Sequence, residues 1–311
     1  MGKIVVLGAA GFLGSHLCDR LIEQGEEVVG IDDLSTGSIS NLFRLRENER
    51  FRFREANINK GFEVADNIDA VLNFASPASP PQYLRQPLHT LRTNSLGTEF
   101  ALEVAVSKTA RFIQASTSEV YGDPEVHPQT ETYRGSVSST GPRSCYDEGK
   151  RYAEALCMAY HRELGANIGI VRIFNTYGPR LTAADGRVVS NFITQALRGD
   201  PLTIYGTGLQ TRSFCYVDDL VDGILKLWRS NETGPINLGN PTEFSVIELA
   251  ELVLRLTASK SKIEYRDLPT DDPTQRCPDI TLATTKLRWQ PEVDLTDGIS
   301  RTIAWFKSVT A

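Results

Sequence analysis

At a working figure of about 150 residues per domain, a chain of 311 residues has room for two domains, or for one large domain with an elaboration. Hydrophobic residues at 41% and charged residues at 23% exclude a disordered, collagen-like or disulfide-scaffold protein. The formal charge of −6 has the wrong sign for nucleic acid or an anionic lipid surface, so any anionic ligand needs a local cationic pocket.

From the N-terminus, apolar runs of strand length alternate with stretches of helical period. Ile4 to Leu7, Glu27 to Ile31, Val71 to Phe74, Phe112 to Ala115 and Ile168 to Ile173 are candidate strands, near-continuously apolar as parallel strands buried on both faces require. Phe12 to Glu23, Thr93 to Val106 and Tyr146 to Glu163 are candidate helices between them. This repetition predicts an α/β fold with a doubly wound parallel Rossmann sheet. After Asn175 the rhythm loosens around Gly178, Pro179, Gly199, Pro201, Gly206 and Gly208, followed by helical segments at Val217 to Trp228, Val246 to Leu256 and Thr296 to Phe306. The expectation is a smaller mixed α/β C-terminal domain for the substrate. Residues 1–175, with roughly 209–240 returning to them, would bind the cofactor; 176–208 and 241–311 would bind the substrate. No linker separates the two, so the chain should cross between them more than once.

No apolar stretch approaches the roughly 20 residues of a membrane-spanning helix. Met1-Gly2-Lys3 runs straight into the first strand, unlike a secretory signal. Cys18, Cys145, Cys157, Cys215 and Cys277 lack paired or metal-type spacing, which favours a reducing cytoplasm. The triplet Asn231-Glu232-Thr233 is then a chance match to the glycosylation pattern. His16 and His161 fall in helices and His127 in a loop, with no ligand spacing beside them, so no metal is expected. Trp228, Trp289 and Trp305 are expected to pack rather than to stack on bases.

The segment Gly8-Ala9-Ala10-Gly11-Phe12-Leu13-Gly14 lies between first strand and first helix. Its glycines suit a tight turn, a close approach of backbone to pyrophosphate, and close helix-to-strand packing. Asp32 closes the second strand about 20 residues after the loop, where a carboxylate accepts bonds from the adenosine ribose and repels a 2′-phosphate. NAD is therefore expected over NADP, and Asp33 beside it brings no arginine to reverse the preference.

Tyr146 and Lys150 stand four apart on one helix face. The strand Phe112 to Ala115 runs into Ser116-Thr117-Ser118-Glu119, which puts hydroxyls and a carboxylate at the carboxyl edge of the sheet, where such folds bind ligands. A phenol with a pKa near 10 needs roughly 4 kcal/mol to fall by about 3 units. A close ammonium in a dry site, supplied by Lys150, together with a cationic nicotinamide ring, is of the right size for that.

A GxxGxxG loop, an acid after the second strand, a Ser/Thr strand end and a YxxxK helix resemble the extended short-chain dehydrogenase/reductases that act on nucleotide sugars. Four longer runs narrow this: Ala75 to Pro81, Ser116 to Gln129, Gly141 to Lys150 and Arg172 to Arg180. They are similar to the UDP-glucuronate decarboxylases of that family, and the likeness extends over nearly the whole chain. The resemblance implies a homodimer joined through the helices at Thr93 to Val106 and Tyr146 to Glu163. It implies NAD held by Gly8, Gly11, Phe12, Leu13, Gly14, Asp32, Asn57 and Ile58, with Tyr146 and Lys150.

It further implies Tyr146 as the base at the sugar 4-hydroxyl, Thr117 on the C4 oxygen, Glu119 orienting the sugar and the proton transfers, and Arg276 near sugar and diphosphate with a part in reprotonation. Ser118, Asn175, Arg180, Tyr205, Arg212 and Arg276 would hold UDP-glucuronate. Asn57 replaces a usual aspartate, Ser38-Ile39-Ser40 a commonly basic stretch, and His89 a usual lysine. Epimerases and 4,6-dehydratases share NAD, tyrosine and lysine. Ser118 stands where a dehydratase carries its acidic aspartate, however, and Glu119 where epimerases carry a small or hydroxyl residue. A catalytically silent NAD or nucleotide-sugar binder would not need Thr117, Tyr146 and Lys150 together.

Overall fold

The computed structural model describes residues 2–267 and 275–310. Strands β1 (Lys3–Leu7), β2 (Glu27–Asp32), β3 (Phe51–Glu55), β4 (Ala70–Asn73), β5 (Arg111–Thr117) and β6 (Ile168–Ile173) carry the first half. They are followed by β7 (Thr176–Tyr177), β8 (Leu202–Tyr205), β9 (Thr211–Ser213), β10 (Cys215–Tyr216), β11 (Ile236–Leu238), β12 (Glu243–Ser245) and β13 (Ile263–Arg266). Seven of them form one parallel sheet in the order β11-β6-β5-β4-β1-β2-β3. The order reverses between β1 and β4, and open sheets of this kind bind ligands at such a switch point. β5 is buried at every position, so its last residues meet ligand only at its carboxyl end.

Helices α1 (Phe12–Glu23), α2 (Pro80–Arg85), α3 (Pro87–Arg92), α4 (Thr98–Ser107) and α5 (Ser144–Leu164) belong to the first half. A single π turn over Thr93–Gly97 leads into α4, so the predicted helix from Thr93 is not uniform. There the Asn94 side chain donates to the Thr90 carbonyl at 3.0 Å, a local bond that apolar periodicity does not reveal. The later helices are α6 (Val188–Arg198), α7 (Val217–Arg229), α8 (Val246–Thr257), α9 (Thr281–Leu287) and α10 (Leu295–Thr310). β8 pairs in parallel with β13, and β9 pairs antiparallel with β12. Between these two pairs the chain returns to the main sheet, where β11 adds to β6.

Two strands of the main sheet, and the helices α2, α3, α6 and α9, lie outside the predicted elements. β3 is an edge strand with mostly exposed side chains, Phe-Arg-Phe-Arg-Glu, and lacks a continuous apolar run. β11 is three residues long. α6 lies within the Gly- and Pro-bearing stretch that masks it, yet turns Val189, Phe192, Ile193 and Ala196 into the core. No helix among the described residues is long and apolar enough to cross a membrane. Trp289 is buried, its indole N–H donating to the Asp219 carbonyl at 2.9 Å, as expected of a packing residue.

Candidate active site

The first turn after β1 is built for close approach. Gly8 has φ +77°, and a Cβ on it would lie 2.6 Å from the Phe74 carbonyl; one on Gly14 would lie 2.0 Å from the Gly8 carbonyl. α1 starts at Gly11 with no side-chain cap and no acidic residue in its first turn. Its first N–H groups thus remain available to an anion, and the helix dipole favours negative charge there. Gly8, Gly11, Phe12, Leu13 and Gly14 all line a cleft of about 760 Å³, so the residues present fit a dinucleotide pyrophosphate.

Asp32 closes β2 and is buried. Its two oxygens accept from the Ala10 and Leu34 amides at 2.9 and 2.8 Å. Burial pushes its carboxyl above the usual range against the pull of those amides. With Gly8, Gly11, Asp33, Ile58 and His89 it lines a smaller pocket continuous with the cleft. The Asn57 side chain instead accepts from the Asn59 amide at 2.9 Å, and its neighbours Ala56 and Ile58 line the pocket. His89 Nε2 lies 3.5 Å from the Asp33 carboxylate.

At the end of β5 the Thr117 hydroxyl accepts from the Glu119 amide at 3.2 Å and lines the same cleft as the Tyr146 phenol, whose ionised form it favours. Tyr146 is buried and stacks face to face on Tyr83, centroids 5.0 Å apart at 4°. Lys150 donates to the Ala115 carbonyl at 2.9 Å, with its Nζ 5.8 Å from the Tyr146 ring centre. Burial pushes the Tyr146 phenol up to about 12, with Thr117 pulling the other way. Burial also brings the Lys150 ammonium down to about 7. The expected lowering of the phenol by Lys150 is therefore not a property of the chain alone. Desolvation dominates both groups in the ligand-free chain, and the cationic ring of a bound nicotinamide would act in the lowering direction.

Glu119 follows on the short 3₁₀ turn Ser118–Tyr121. Its Oε2 accepts from Arg143 at 2.7 Å and from Arg276 at 3.1 Å. Burial alone would push Glu119 up, but Arg276 and Arg143 outweigh it and hold the carboxyl below its usual range. Arg276 is 2% exposed and also donates to the carbonyls of Ser118 and Gly122. Arg143 lies within the run Gly141 to Lys150, three residues before Tyr146; that spacing of about one helical turn is the only signal of it that the sequence carries. Asp147, in the same run, is pushed by burial up to about 7.

Ser118, Asn175, Tyr205 and Arg212 line the same cleft. Arg180 does too, but its guanidinium pairs with Asp19 on α1, which ties the loop after β7 to the first helix of the main sheet. Arg187 is a further cleft residue not foreseen; it bridges Asp185 at 3.2 Å and the Ala78 carbonyl at 3.3 Å. Arg143, Arg180, Arg187, Arg212, Arg276 and Lys150 face two lining carboxylates, Glu119 and Asp185. That excess is the local cationic pocket an anionic ligand needs in a chain of charge −6.

A parallel sheet of Rossmann order, a glycine turn at an uncapped helix start, Asp32 and the Thr117, Tyr146, Lys150 set define an NAD-dependent enzyme of the extended short-chain dehydrogenase/reductase type. The chain belongs to the NAD dependent epimerase/dehydratase family, which residues 4–239 match, and within it to the UDP-glucuronic acid decarboxylases. It is 48% identical to UDP-glucuronic acid decarboxylase 1 of Arabidopsis thaliana over 306 residues, 98% of this chain and 70% of that one. The corresponding Danio rerio protein is 48% identical over 304 residues, 98% of this chain and 72% of that one. Among solved structures, UDP-glucuronic acid 4-epimerase from Bacillus cereus, in complex with UDP-glucuronic acid and NAD, superposes with a TM-score of 0.88 at 30% identity. That likeness covers 99% of each chain.

Proposed function

We propose that this enzyme converts UDP-glucuronate to UDP-xylose and CO₂ with NAD regenerated in every turnover. The observation that carries the reading is the Glu119 carboxylate clamped between Arg143 and Arg276 one turn from the Thr117 and Tyr146 pair; the relatives named UDP-glucuronic acid decarboxylase support it.

Bound NAD supplies a two-electron acceptor that takes hydride from sugar C4 and gives it back later in the same turnover. Tyr146 takes the proton of the 4-hydroxyl while Thr117 holds the C4 oxygen. The 4-ketone so formed is β to the carboxylate carried on C5. Breaking that C–C bond releases CO₂ and leaves the electron pair at C5, delocalised into the ketone as an enolate. Arg276 and Glu119 orient the ring and the proton that is added at C5, and Tyr146 returns its proton to the C4 oxygen when the ketone is reduced. One proton replaces CO₂ overall. Lys150 keeps the site around Tyr146 polar and positioned through its bond to the Ala115 carbonyl.

The cofactor would lie on residues 1–175 with 209–240. The nucleotide sugar would lie on 176–208 and 241–311, within which 268–274 fall outside the described residues. Asn175, Arg180, Tyr205 and Arg212 would hold the uridine diphosphate. Leu88, Leu91 and Leu96 on α3 and the π turn, with Tyr152 and Leu164 on α5, are exposed; they support a homodimer closed by these helices. The five cysteines are unpaired and buried, in keeping with a cytoplasmic protein. The second reading, a UDP-glucuronate 4-epimerase, has the Bacillus cereus structure in its favour. Identification of the sugar nucleotide made from UDP-glucuronate, with capture of CO₂, separates the two.

A further inference from the structure

His127, Glu243 and Cys277 are separated by more than 30 residues from one another in sequence, yet their ligand atoms all lie within 4.8 Å of one another. They are the one such cluster of metal-ligating side chains among the described residues. From this juxtaposition we propose that the three side chains form a binding site for a borderline-soft divalent ion of the Zn²⁺ class, outside the catalytic cleft and next to Arg276 in the chain.

Backbone pairing, helped by the side chains of Gln129 and Thr211, brings the three together. The Gln129 amide donates to the Cys277 carbonyl at 2.9 Å and the Asp279 amide to the Gln129 carbonyl at 2.9 Å; the Gln129 side chain accepts from the Cys277 amide at 2.9 Å. This fixes the segment of His127 against that of Cys277. Glu243 is fixed separately by the β9 to β12 pairing, and its Oε1 accepts from the Thr211 hydroxyl at 2.6 Å. His127 Nε2 and Glu243 Oε2 are already 2.9 Å apart.

In a tetrahedral zinc site, with bonds of about 2.0 to 2.3 Å, ligand atoms stand roughly 3.3 to 3.8 Å apart. With His127 Nε2 and Glu243 Oε2 2.9 Å apart and all three atoms within 4.8 Å, the set stands within about 1 Å of that range; His127 and Glu243 are partly exposed, which leaves them room to adjust and a fourth position open to water. Imidazole, carboxylate and thiolate together select zinc-class ions over Mg²⁺ or Ca²⁺. Burial, with Glu243 and Asp279, pushes the Cys277 thiol up to about 11, and a coordinated divalent ion reverses that bias.

The test is titration of the untagged, NAD-loaded protein with Co²⁺ as spectroscopic probe and with Zn²⁺ by calorimetry. The expected result is one Co²⁺ per chain with a thiolate-to-cobalt charge-transfer band and d–d bands of four-coordinate cobalt, displaced by Zn²⁺. Cys277→Ala should abolish the charge-transfer band, and His127→Gln should weaken Zn²⁺ binding at least about tenfold, the loss that removal of even a ligand's outer hydrogen-bond partner produces. Both variants should melt within a few degrees of wild type without metal. Absence of the charge-transfer band in wild type, or an unchanged band in Cys277→Ala, overturns the proposal. If a variant does not fold, the wild-type cobalt spectrum alone decides, because none of the other four thiols lies in such a cluster among the described residues.

Discussion

Glu119 and Arg276 meet at 3.1 Å, and Arg276, almost wholly buried, also donates to the Ser118 and Gly122 carbonyls. The carboxylate is thus rigidly aimed from the end of β5, and its charge is fixed by two guanidinium groups. Glu119→Gln keeps the shape and removes the charge. Turnover of UDP-glucuronate should fall about 10²-fold or more, as for a positioned proton-transfer or orienting group, with substrate affinity within about tenfold. Steady-state and binding measurements on the variant check this, and wild-type turnover would remove Glu119 from the reaction.

Lys150 ties pH to stability. Burial lowers it from the ordinary 10.5 to about 7. Between those values the unfolded chain binds the proton and the folded chain does not, so this residue makes stability rise with pH from about 7 to about 10. Below about 7 it is charged in both states and adds no slope. Lys150→Met should therefore flatten the rise in melting temperature of the ligand-free protein across that window and raise it near pH 7, while abolishing turnover. Parallel melting curves for the two proteins across the window would contradict this.

On the proposed reading Asp32 sets the choice of cofactor. NAD should bind at least about tenfold tighter than NADP, about 1.4 kcal/mol, because a 2′-phosphate would face a buried carboxylate. Asp32→Ala should bring the two affinities together. It should also weaken NAD itself, because the Ala10 and Leu34 amides lose their acceptor. Calorimetry with both dinucleotides measures this; equal affinities in the wild type would be the contrary result.

The exposed apolar residues of α3 and α5 should be covered in a symmetric dimer. Sedimentation at micromolar concentration should give about twice the mass of the 34.4 kDa chain, and Leu88→Glu with Leu91→Glu should shift it toward monomer. A monomeric wild type would refute the contact.

The sequence made legible what runs of buried residues and fixed spacings encode. β1, β2, β4, β5 and β6 are apolar because they are covered on both faces, and Tyr146 and Lys150 share a face because a helix turns every 3.6 residues. Edge strand β3 and three-residue β11 escape that logic, since an exposed strand need not be apolar and a short one has no period. The electrostatics of the site escape it too. Arg143 and Glu119 are 24 residues apart, and Arg276 is 157 from Glu119, so only folding shows that one carboxylate has two cations. The Lys150 ammonium bonds the Ala115 carbonyl, and burial pushes the Tyr146 phenol up to about 12; no spacing encodes either.

The most direct test is to incubate the purified enzyme with UDP-glucuronate and NAD, identify the sugar nucleotide by NMR, and trap CO₂. The account predicts UDP-xylose and CO₂ in equal amounts without net NADH, and neither product from Tyr146→Phe, whose lost hydroxyl acts mainly in the transition state. UDP-galacturonate formed without CO₂ would contradict it and make the enzyme an epimerase.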